Sequence, residues 1–106
     1  MEDCIFCKII NKELNTEFVY ENESAVVFKD INPKADIHLL VVPKQHVESL
    51  NELDDENLLG KLLMTVKAVT KKEGIKSYKT IINTGKDAGQ EVFHLHIHIL
   101  SGNIKF

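Results

Sequence analysis

Residues 94–100 of this 106-residue chain, His-Leu-His-Ile-His-Ile-Leu, alternate histidine with aliphatic residues. Strict alternation is the pattern of a β-strand, in which successive side chains point to opposite faces. The imidazoles of His94, His96 and His98 are therefore predicted to share one face. The aliphatic side chains between them are predicted to pack against a helix on the other face. One strand would then supply core residues on one face and functional histidines on the other.

Strand geometry limits what these histidines can do together. A strand rises ~3.3 Å per residue, which places His94 and His98 roughly 13 Å apart, too far to bind one metal ion. Two neighbouring histidines can share a zinc ion, which leaves the third for nucleophilic or acid–base work. The alternative is a solvent-facing polar stripe on a half-buried strand.

Charge and length narrow the class of protein. The formal net charge is −3 and the lysines are spread along the chain, which argues against a nucleic-acid groove. No segment approaches the ~20 consecutive apolar residues that span a bilayer, and the N-terminus is acidic rather than apolar. We therefore expect a single domain over residues 1–106, located in the cytoplasm and without nucleic-acid or membrane partners.

Both cysteines fall in one motif, Cys4-Ile-Phe-Cys7. A reducing cytoplasm argues against a structural disulfide, and too few residues precede Cys4 for a thioredoxin-like redox motif. Two closely spaced thiolates make half of a tetrahedral zinc site, and histidines are the usual source of the other ligands. The alternative is a pair of buried thiols that pack a short helix.

Hydrophobic periodicity predicts an α+β fold with an antiparallel sheet. The long helix is predicted to begin after Asp54 or Asp55 and to run to Glu73, with Gly74 as its C-cap. The other predicted elements are a short helix over 4–11 and strands over 17–20, 25–29, 37–42, 78–84 and 93–100.

The long helix carries an apolar stripe within an arc of roughly 140° at 100° per residue. Such a stripe is typical of a helix that covers a sheet, and we assign it to the core. Its members are Leu58, Leu59, Leu62, Leu63, Val66 and Val69.

A phosphate-binding pocket is suggested by the loop before the histidine strand. Residues 85–90 contain two glycines, and the exposed backbone N–H groups of such a loop suit an oxyanion. Glycine-rich hairpin loops are common, so the loop alone predicts little. Together with the three histidines, with Asp30 before a turn and with Asn83 at a strand end, it predicts a nucleotide phosphate site.

The chain resembles the histidine triad (HIT) superfamily, whose signature, His-φ-His-φ-His-φ-φ with φ apolar, matches residues 94–100. The resemblance extends, in order, to the bacterial zinc-containing members of the Hint-like branch. It implies the HIT fold, a five-stranded antiparallel sheet with one long and one short helix, pairing as a homodimer. The further matching segments are Cys4-Ile-Phe-Cys-Lys-Ile-Ile10, Asp30-Ile-Asn-Pro33, His38-Leu-Leu-Val-Val-Pro-Lys-Gln-His46 and Ala88-Gly-Gln90.

The resemblance implies a nucleotide-binding hydrolase of purine nucleoside 5′-phosphoramidates, of the adenosine 5′-monophosphoramidase type, with a covalent nucleotidyl-histidine intermediate. His96 matches the family nucleophile, and a neutral imidazole is a usable nucleophile at cellular pH. His98 would hold a phosphate oxygen or the developing charge, and the His94 carbonyl would fix the tautomer of His96. His38 matches a histidine of a supporting hydrogen-bond relay.

The same resemblance implies the ligands of a purine nucleoside monophosphate and of a metal. Asp30 should accept hydrogen bonds from the ribose hydroxyls, Ile31 should contact the sugar or base, and Asn83 and Gly89 should lie near the phosphate. The implied ligands of a structural Zn²⁺ are Cys4, Cys7, His46 and His94.

One nucleotide-site position departs from the family pattern. Glu91 stands where Hint-like proteins usually carry a serine. Its carboxylate could turn to solvent or, if protonated, deliver a proton to the departing amine, so we expect an altered leaving-group preference or a lower rate. This departure, with the absence of a Trp-Pro-Pro-Gly-like tail after Ser101, leaves a nucleotide sensor or partner-binding protein as an alternative. A dinucleoside polyphosphate hydrolase is a further alternative.

Overall fold

The computed structural model describes residues 4–104 and confirms the α+β fold with a five-stranded antiparallel sheet. The elements are α1 (Ile5–Ile10), β1 (Tyr20–Glu21), β2 (Ala25–Lys29), β3 (Ile37–Pro43), α2 (Glu56–Glu73), β4 (Lys79–Ile81) and β5 (Ile97–Ser101), with single 3₁₀ turns at Leu50–Glu52 and Lys86–Ala88. The strand order in the sheet is β1-β2-β3-β5-β4, and each neighbouring pair is antiparallel.

The ends of the long helix α2 lie where the sequence predicts them. The Asp55 carboxylate accepts hydrogen bonds from the backbone N–H groups of Asn57 at 3.0 Å and Leu58 at 3.2 Å, which satisfies two donors of the first turn. At the other end Gly74 adopts a left-handed conformation with φ 71°, which a glycine accepts without strain. No helix within residues 4–104 combines the length and apolar character needed to cross a bilayer.

Both faces of the sheet are buried, each under a different helix. Alternate residues of β2 and β3, such as Val27 and Val41, pack with β5 against α2. The residues between them, such as Phe28 and Leu40, pack on the other face against Phe6 and Ile9 of α1. Residues 4–104 therefore form two apolar clusters, the α2 cluster and the α1 cluster, and the candidate functional site lies on the α1 side.

The predicted stripe of α2 is correct for four of its six members. Leu58, Leu62, Val66 and Val69 are buried against the sheet, whereas Leu59 is half-buried and Leu63 is 48% exposed. The remaining buried positions of the helix belong to Thr65 and Thr70, whose hydroxyls are satisfied by the helix itself, donating to the carbonyls of Lys61 and Val66.

Three predicted strands are shorter than their patterns. The first extends over Tyr20–Glu21 instead of 17–20, and the fourth over Lys79–Ile81 instead of 78–84. The last, β5, begins at Ile97, after both His94 and His96. If β3 and β5 paired further in the same register, residue 95 would lie opposite Pro43. Proline has no N–H to donate to the ladder, so the pairing ends before that position. Leu95 instead donates its N–H to the carbonyl of Val47 at 2.7 Å.

Candidate active site and metal centre

A cavity of about 820 Å³ lies on the α1 side of the sheet. The side chains of Phe6 and Ile9 from α1 form one wall, and residues of β2, β3 and β4 contribute to the floor. Its volume suits a whole small ligand. The sequence-predicted residues that line it are His38, His96, His98, Asp30, Ile31, Asn83, Gly89 and Glu91.

The tautomer of His96 is fixed by the chain just before it. Its Nδ1 lies 2.8 Å from the carbonyl oxygen of His94, and because a carbonyl only accepts, Nδ1 carries the proton. In the neutral ring the lone pair is then on Nε2. The ring is 8% exposed and packs edge-on against Phe6 at a centroid distance of 5.1 Å, which restricts its orientation.

A second hydrogen-bond chain fixes His38 and His98. The backbone N–H of Lys34 donates to His38 Nδ1 at 3.0 Å, so the proton of the neutral His38 ring is on Nε2. This Nε2 lies 2.8 Å from His98 Nδ1 and 3.3 Å from a carboxylate oxygen of Asp30. His38 therefore donates to His98, whose own proton is left on Nε2. The cavity thus receives a lone pair from His96 and an N–H donor from His98.

Burial keeps these imidazoles neutral. It is the main cause that lowers the pKa of His96, against the opposing effects of the His94 carbonyl and of Asp30. It also lowers the pKa of His98 to about 4, with additional lowering by the neighbouring His96 and His38. The same cause lowers the pKa of His38. The site therefore holds neutral donors and acceptors at the pH of a cell.

Cys4, Cys7, His46 and His94 come together beside the cavity as a candidate metal centre, with all four ligand atoms within 4.8 Å of one another. The Sγ of Cys4 is 3.3 Å from His94 Nδ1, and the Sγ of Cys7 is 3.3 Å from His46 Nδ1. Zinc bonds of ~2.3 Å to sulfur and ~2.05 Å to nitrogen in a tetrahedron place such atoms about 3.6 Å apart. The four residues are thus positioned to hold a metal ion, consistent with zinc.

Hydrogen bonding orients His94 as a ligand. Its Nε2 donates to the carbonyl of Pro43 at 2.8 Å, which leaves the Nδ1 lone pair directed at the two sulfurs. Burial is the main cause that lowers the pKa of His94. Burial is also the main cause that raises the pKa of the Cys7 thiol to about 11, and the neighbouring Cys4 raises it further. Neutral imidazole suits a metal ion, whereas the thiols must release protons when an ion binds.

Asp30, His38 and His98 also cluster within 4.8 Å, but their protons make this a relay rather than a metal centre. A metal ion would need the lone pair of His38 Nε2. The Lys34 N–H bond to Nδ1 places the proton on that same Nε2 atom, the reverse of the arrangement at His94. The backbone N–H of Lys34 is a determinant that no sequence pattern predicts.

Gln90 holds the predicted phosphate loop and was missed by the sequence-based prediction of site residues. Its buried side chain accepts from the N–H of Gly85 at 2.8 Å and donates to the carbonyl of Glu48 at 2.7 Å. Asn83 donates to the carbonyl of Ala88 at 2.9 Å, and Gly89 adopts a φ of 93° that favours glycine. The only sequence signal for Gln90 is an amide side chain within a glycine-containing loop.

Comparisons with known proteins agree with this geometry. Residues 3–106 match the family model described as "Scavenger mRNA decapping enzyme C-term binding". The chain is 52% identical over 103 residues to Protein HitA of Neisseria gonorrhoeae, covering 94% of this chain and 96% of that protein.

Two solved structures also resemble the chain closely. A histidine triad protein from Clostridium difficile has a TM-score of 0.91 and 42% identity, with 96% of this chain and 92% of that chain covered. A HIT family hydrolase from Legionella pneumophila has a TM-score of 0.89 and 36% identity, with 94% and 93% covered.

Proposed function

This chain belongs to the histidine triad superfamily, and we propose that it hydrolyses purine nucleoside 5′-phosphoramidates through a covalent nucleotidyl-histidine intermediate. The observation that carries the proposal is the 2.8 Å hydrogen bond from His96 Nδ1 to the His94 carbonyl, which leaves the Nε2 lone pair available. A neutral, oriented imidazole at a cavity wall is a nucleophile ready for use.

In the first step the lone pair of His96 Nε2 attacks phosphorus. The P–N bond to the amine breaks, its electron pair stays on the amine nitrogen, and the amine takes up a proton from solvent. His98 donates its Nε2–H to a phosphoryl oxygen and stabilises the charge that develops there. His38 acts as a positioning residue, since its Nε2–H holds His98 in the tautomer that can donate.

In the second step a water oxygen attacks phosphorus and the bond from phosphorus to His96 Nε2 breaks. The electron pair returns to Nε2, the water protons pass to solvent, and the nucleoside monophosphate leaves. The carbonyl of His94 stabilises the positive charge that the ring carries while it is bonded to phosphorus. His94 therefore contributes through its backbone rather than its ring.

The nucleotide is proposed to bind along the cavity. The Asp30 carboxylate retains free lone pairs for ribose hydroxyls, although it also accepts from the N–H of Asn32. Ile31 is 90% exposed beside it and offers an apolar contact to the sugar or base. We propose that Asn83 and Gly89 contact the phosphate, since both line the cavity together with Glu91.

We further propose that the ion held by Cys4, Cys7, His46 and His94 is a structural Zn²⁺. Four protein ligands complete a tetrahedron and leave no open position for substrate. The ion would tie α1 to the segment before β5. We propose a cytoplasmic location, where a reducing environment would keep both thiols available to the metal ion.

A homodimer remains a proposal supported by two exposed features. The strand β4 is an edge of the sheet, and Leu63 and Met64 of α2 are 48% and 61% exposed. Sedimentation velocity across a concentration series tests the pairing, and a species of 12.1 kDa at every concentration would contradict it.

The decisive experiment measures amine release from an adenosine 5′-phosphoramidate. The parent protein and His96→Ala are compared, and quenched parent is analysed by mass spectrometry for an AMP adduct. We expect turnover by the parent, none by the variant, and the adduct on His96. Thr70→Ser, a change in the buried face of α2 away from the cavity, serves as the matched control.

Each other outcome has a defined meaning. AMP binding without turnover by the parent would contradict the enzyme proposal and favour the nucleotide sensor. Faster cleavage of P–O–P than of P–N bonds would favour a dinucleoside polyphosphate hydrolase. Unchanged turnover by His96→Ala would contradict the assignment of the nucleophile.

A further inference from the structure

One end of the cavity carries a carboxylate that the reaction above does not use. Glu91 is exposed and lines the cavity in a region otherwise suited to a phosphate group. Within residues 4–104 no hydrogen bond or ion pair engages this carboxylate. A free negative charge beside a phosphate site weakens anion binding unless a cation accompanies the anion.

The sheet register shows at which end Glu91 lies. In β5, His98 stands opposite Leu40 of β3 and Ile81 of β4, near the middle of the sheet. Asp30 follows β2 and donates its N–H to the His38 carbonyl, at the end where β5 finishes. Glu91 comes before β5, in the connection that leaves β4, and therefore lies towards the opposite end.

This arrangement orders the parts of a bound phosphoramidate. With the ribose at Asp30 and phosphorus between His96 and His98, the group beyond phosphorus extends toward the loop of residues 83–92. Glu91 is in that loop, whereas the cationic side chains that line the cavity, Lys29 and Lys34, are at the ribose end. The leaving group thus meets a negative charge.

We propose that Glu91 selects phosphoramidates whose leaving amine carries a second, positively charged group, as an alkyl diamine or a basic amino-acid derivative does. The inference rests on the proposed function and adds its substrate class. A second ammonium pairs with the Glu91 carboxylate and offsets its repulsion of the phosphoryl oxygens. A carboxylate or phosphate on the leaving group meets two negative charges instead.

The loop is built to hold Glu91 in place. Its neighbour Gln90 is 3% exposed and is tied to the carbonyls of Glu48 and Val92 at 2.7 and 3.1 Å. The side chain of Val92, on the other side, is partly buried against the α1 cluster. The backbone on both sides is therefore anchored, so the carboxylate samples only the volume its own rotamers reach.

The test uses three adenosine 5′-phosphoramidates whose leaving amines have equal chain length and end in an ammonium, a methyl or a carboxylate group. The parent protein is expected to prefer the ammonium over the methyl compound by about fivefold in kcat/KM, the upper range for an exposed ion pair. The carboxylate compound should be slowest. Glu91→Gln removes the charge at nearly constant shape and should bring the three values together.

The matched control is Glu23→Gln, which removes an exposed carboxylate in the turn between β1 and β2, outside the residues that line the cavity. It should keep the parent's ranking. Equal rates for the three compounds in the parent, or an unchanged ranking in Glu91→Gln, would overturn the proposal. An equal fall for all three compounds in Glu91→Gln would also overturn it, because that result indicates proton delivery rather than charge recognition.

Binding measurements separate this inference from the proposed function. The dissociation constants of the same three compounds are measured by calorimetry on His96→Ala and on the double variant with Glu91→Gln. If the parent cleaves none of the compounds, the proposed function fails. The dissociation constants still decide whether Glu91 recognises a cation. We expect the ammonium compound to bind most tightly and the carboxylate compound most weakly to His96→Ala, and we expect the three values to become similar in the double variant.

Discussion

The protonation state of His98 gives the most quantitative prediction. Burial, with the neighbouring His96 and His38, lowers its pKa from the ordinary 6.5 to about 4. At pH 5.5 such a ring is about 97% neutral, whereas a ring with the ordinary value is about 9% neutral. Lowering the pH from 7.5 to 5.5 should therefore leave His98 as a neutral Nε2–H donor, with Nδ1 still accepting from His38.

The assay is an NMR titration of the imidazole resonances, assigned with His98→Gln, alongside kcat/KM for an adenosine 5′-phosphoramidate. Because burial also lowers the pKa of His96, kcat/KM should fall by less than the about tenfold loss expected for an ordinary histidine between pH 7.5 and 5.5. Metal content is measured at every pH, since protons compete with a metal ion for its ligands.

The variant His38→Gln separates the causes of the low pKa. A glutamine amide can still donate to Nδ1 of His98 but removes the neighbouring imidazole. The pKa of His98 should rise and stay below 6.5, because burial is the larger cause. A titration midpoint of His98 near 6.5 in the folded, metal-loaded parent would refute the reasoning.

Three further predictions concern stability and the metal centre. Leu62→Ala, at a fully buried position, should reduce the free energy of unfolding by about 2–5 kcal/mol in urea titration, whereas Lys67→Ala, at an exposed position of the same helix, should change it by less than about 0.5 kcal/mol. Gly60→Ala should stabilise the folded protein by about 0.5–1 kcal/mol, because the position is helical and a Cβ there meets nothing within 4 Å. Gly89→Ala should destabilise the folded protein, because φ is 93° at that position and the Cβ would lie 3.4 Å from the side-chain nitrogen of Asn83. Both are read from the same unfolding curves, and equal effects at the two glycines would contradict the explanation. Cys7→Ser should lower both the metal content per chain, measured by mass spectrometry of the native protein, and the melting temperature. If the parent protein folds equally well after the metal is removed by a chelator, the metal has no structural role.

Local rules in the sequence predicted the parts of the fold that depend on a few consecutive residues. The ends of α2 follow from the Asp55 carboxylate and from Gly74, each of which acts within one helical turn. The Cys4 and Cys7 pair is similarly local, because both sulfurs reach one point from a single short helix. Alternation also placed the core face of β5 correctly, since Ile97 and Ile99 pack in the α2 cluster.

Contacts between distant segments decided where local rules were insufficient. The alternation of residues 94–100 predicts a longer strand than β5, because the pattern does not reveal that the partner strand ends at Pro43. The stripe of α2 contained six candidates, and only packing against the sheet determined that Leu63 is exposed while Thr65 is buried. Which side chains of a helix are buried therefore depends on the elements packed against it, and the ~3.6-residue periodicity of the sequence alone does not determine it.

The sequence by itself determined which residue types are present for chemistry: three alternating histidines, a close cysteine pair and a glycine-containing loop. Only the tertiary structure decided what each histidine can do. The lone pair of a neutral imidazole lies on the nitrogen that does not donate, so its position is set by whichever carbonyl or N–H lies within about 3 Å. Pro43 assigns the ring of His94 to the metal centre from 51 residues away, and Lys34 assigns the proton of His38 to the relay.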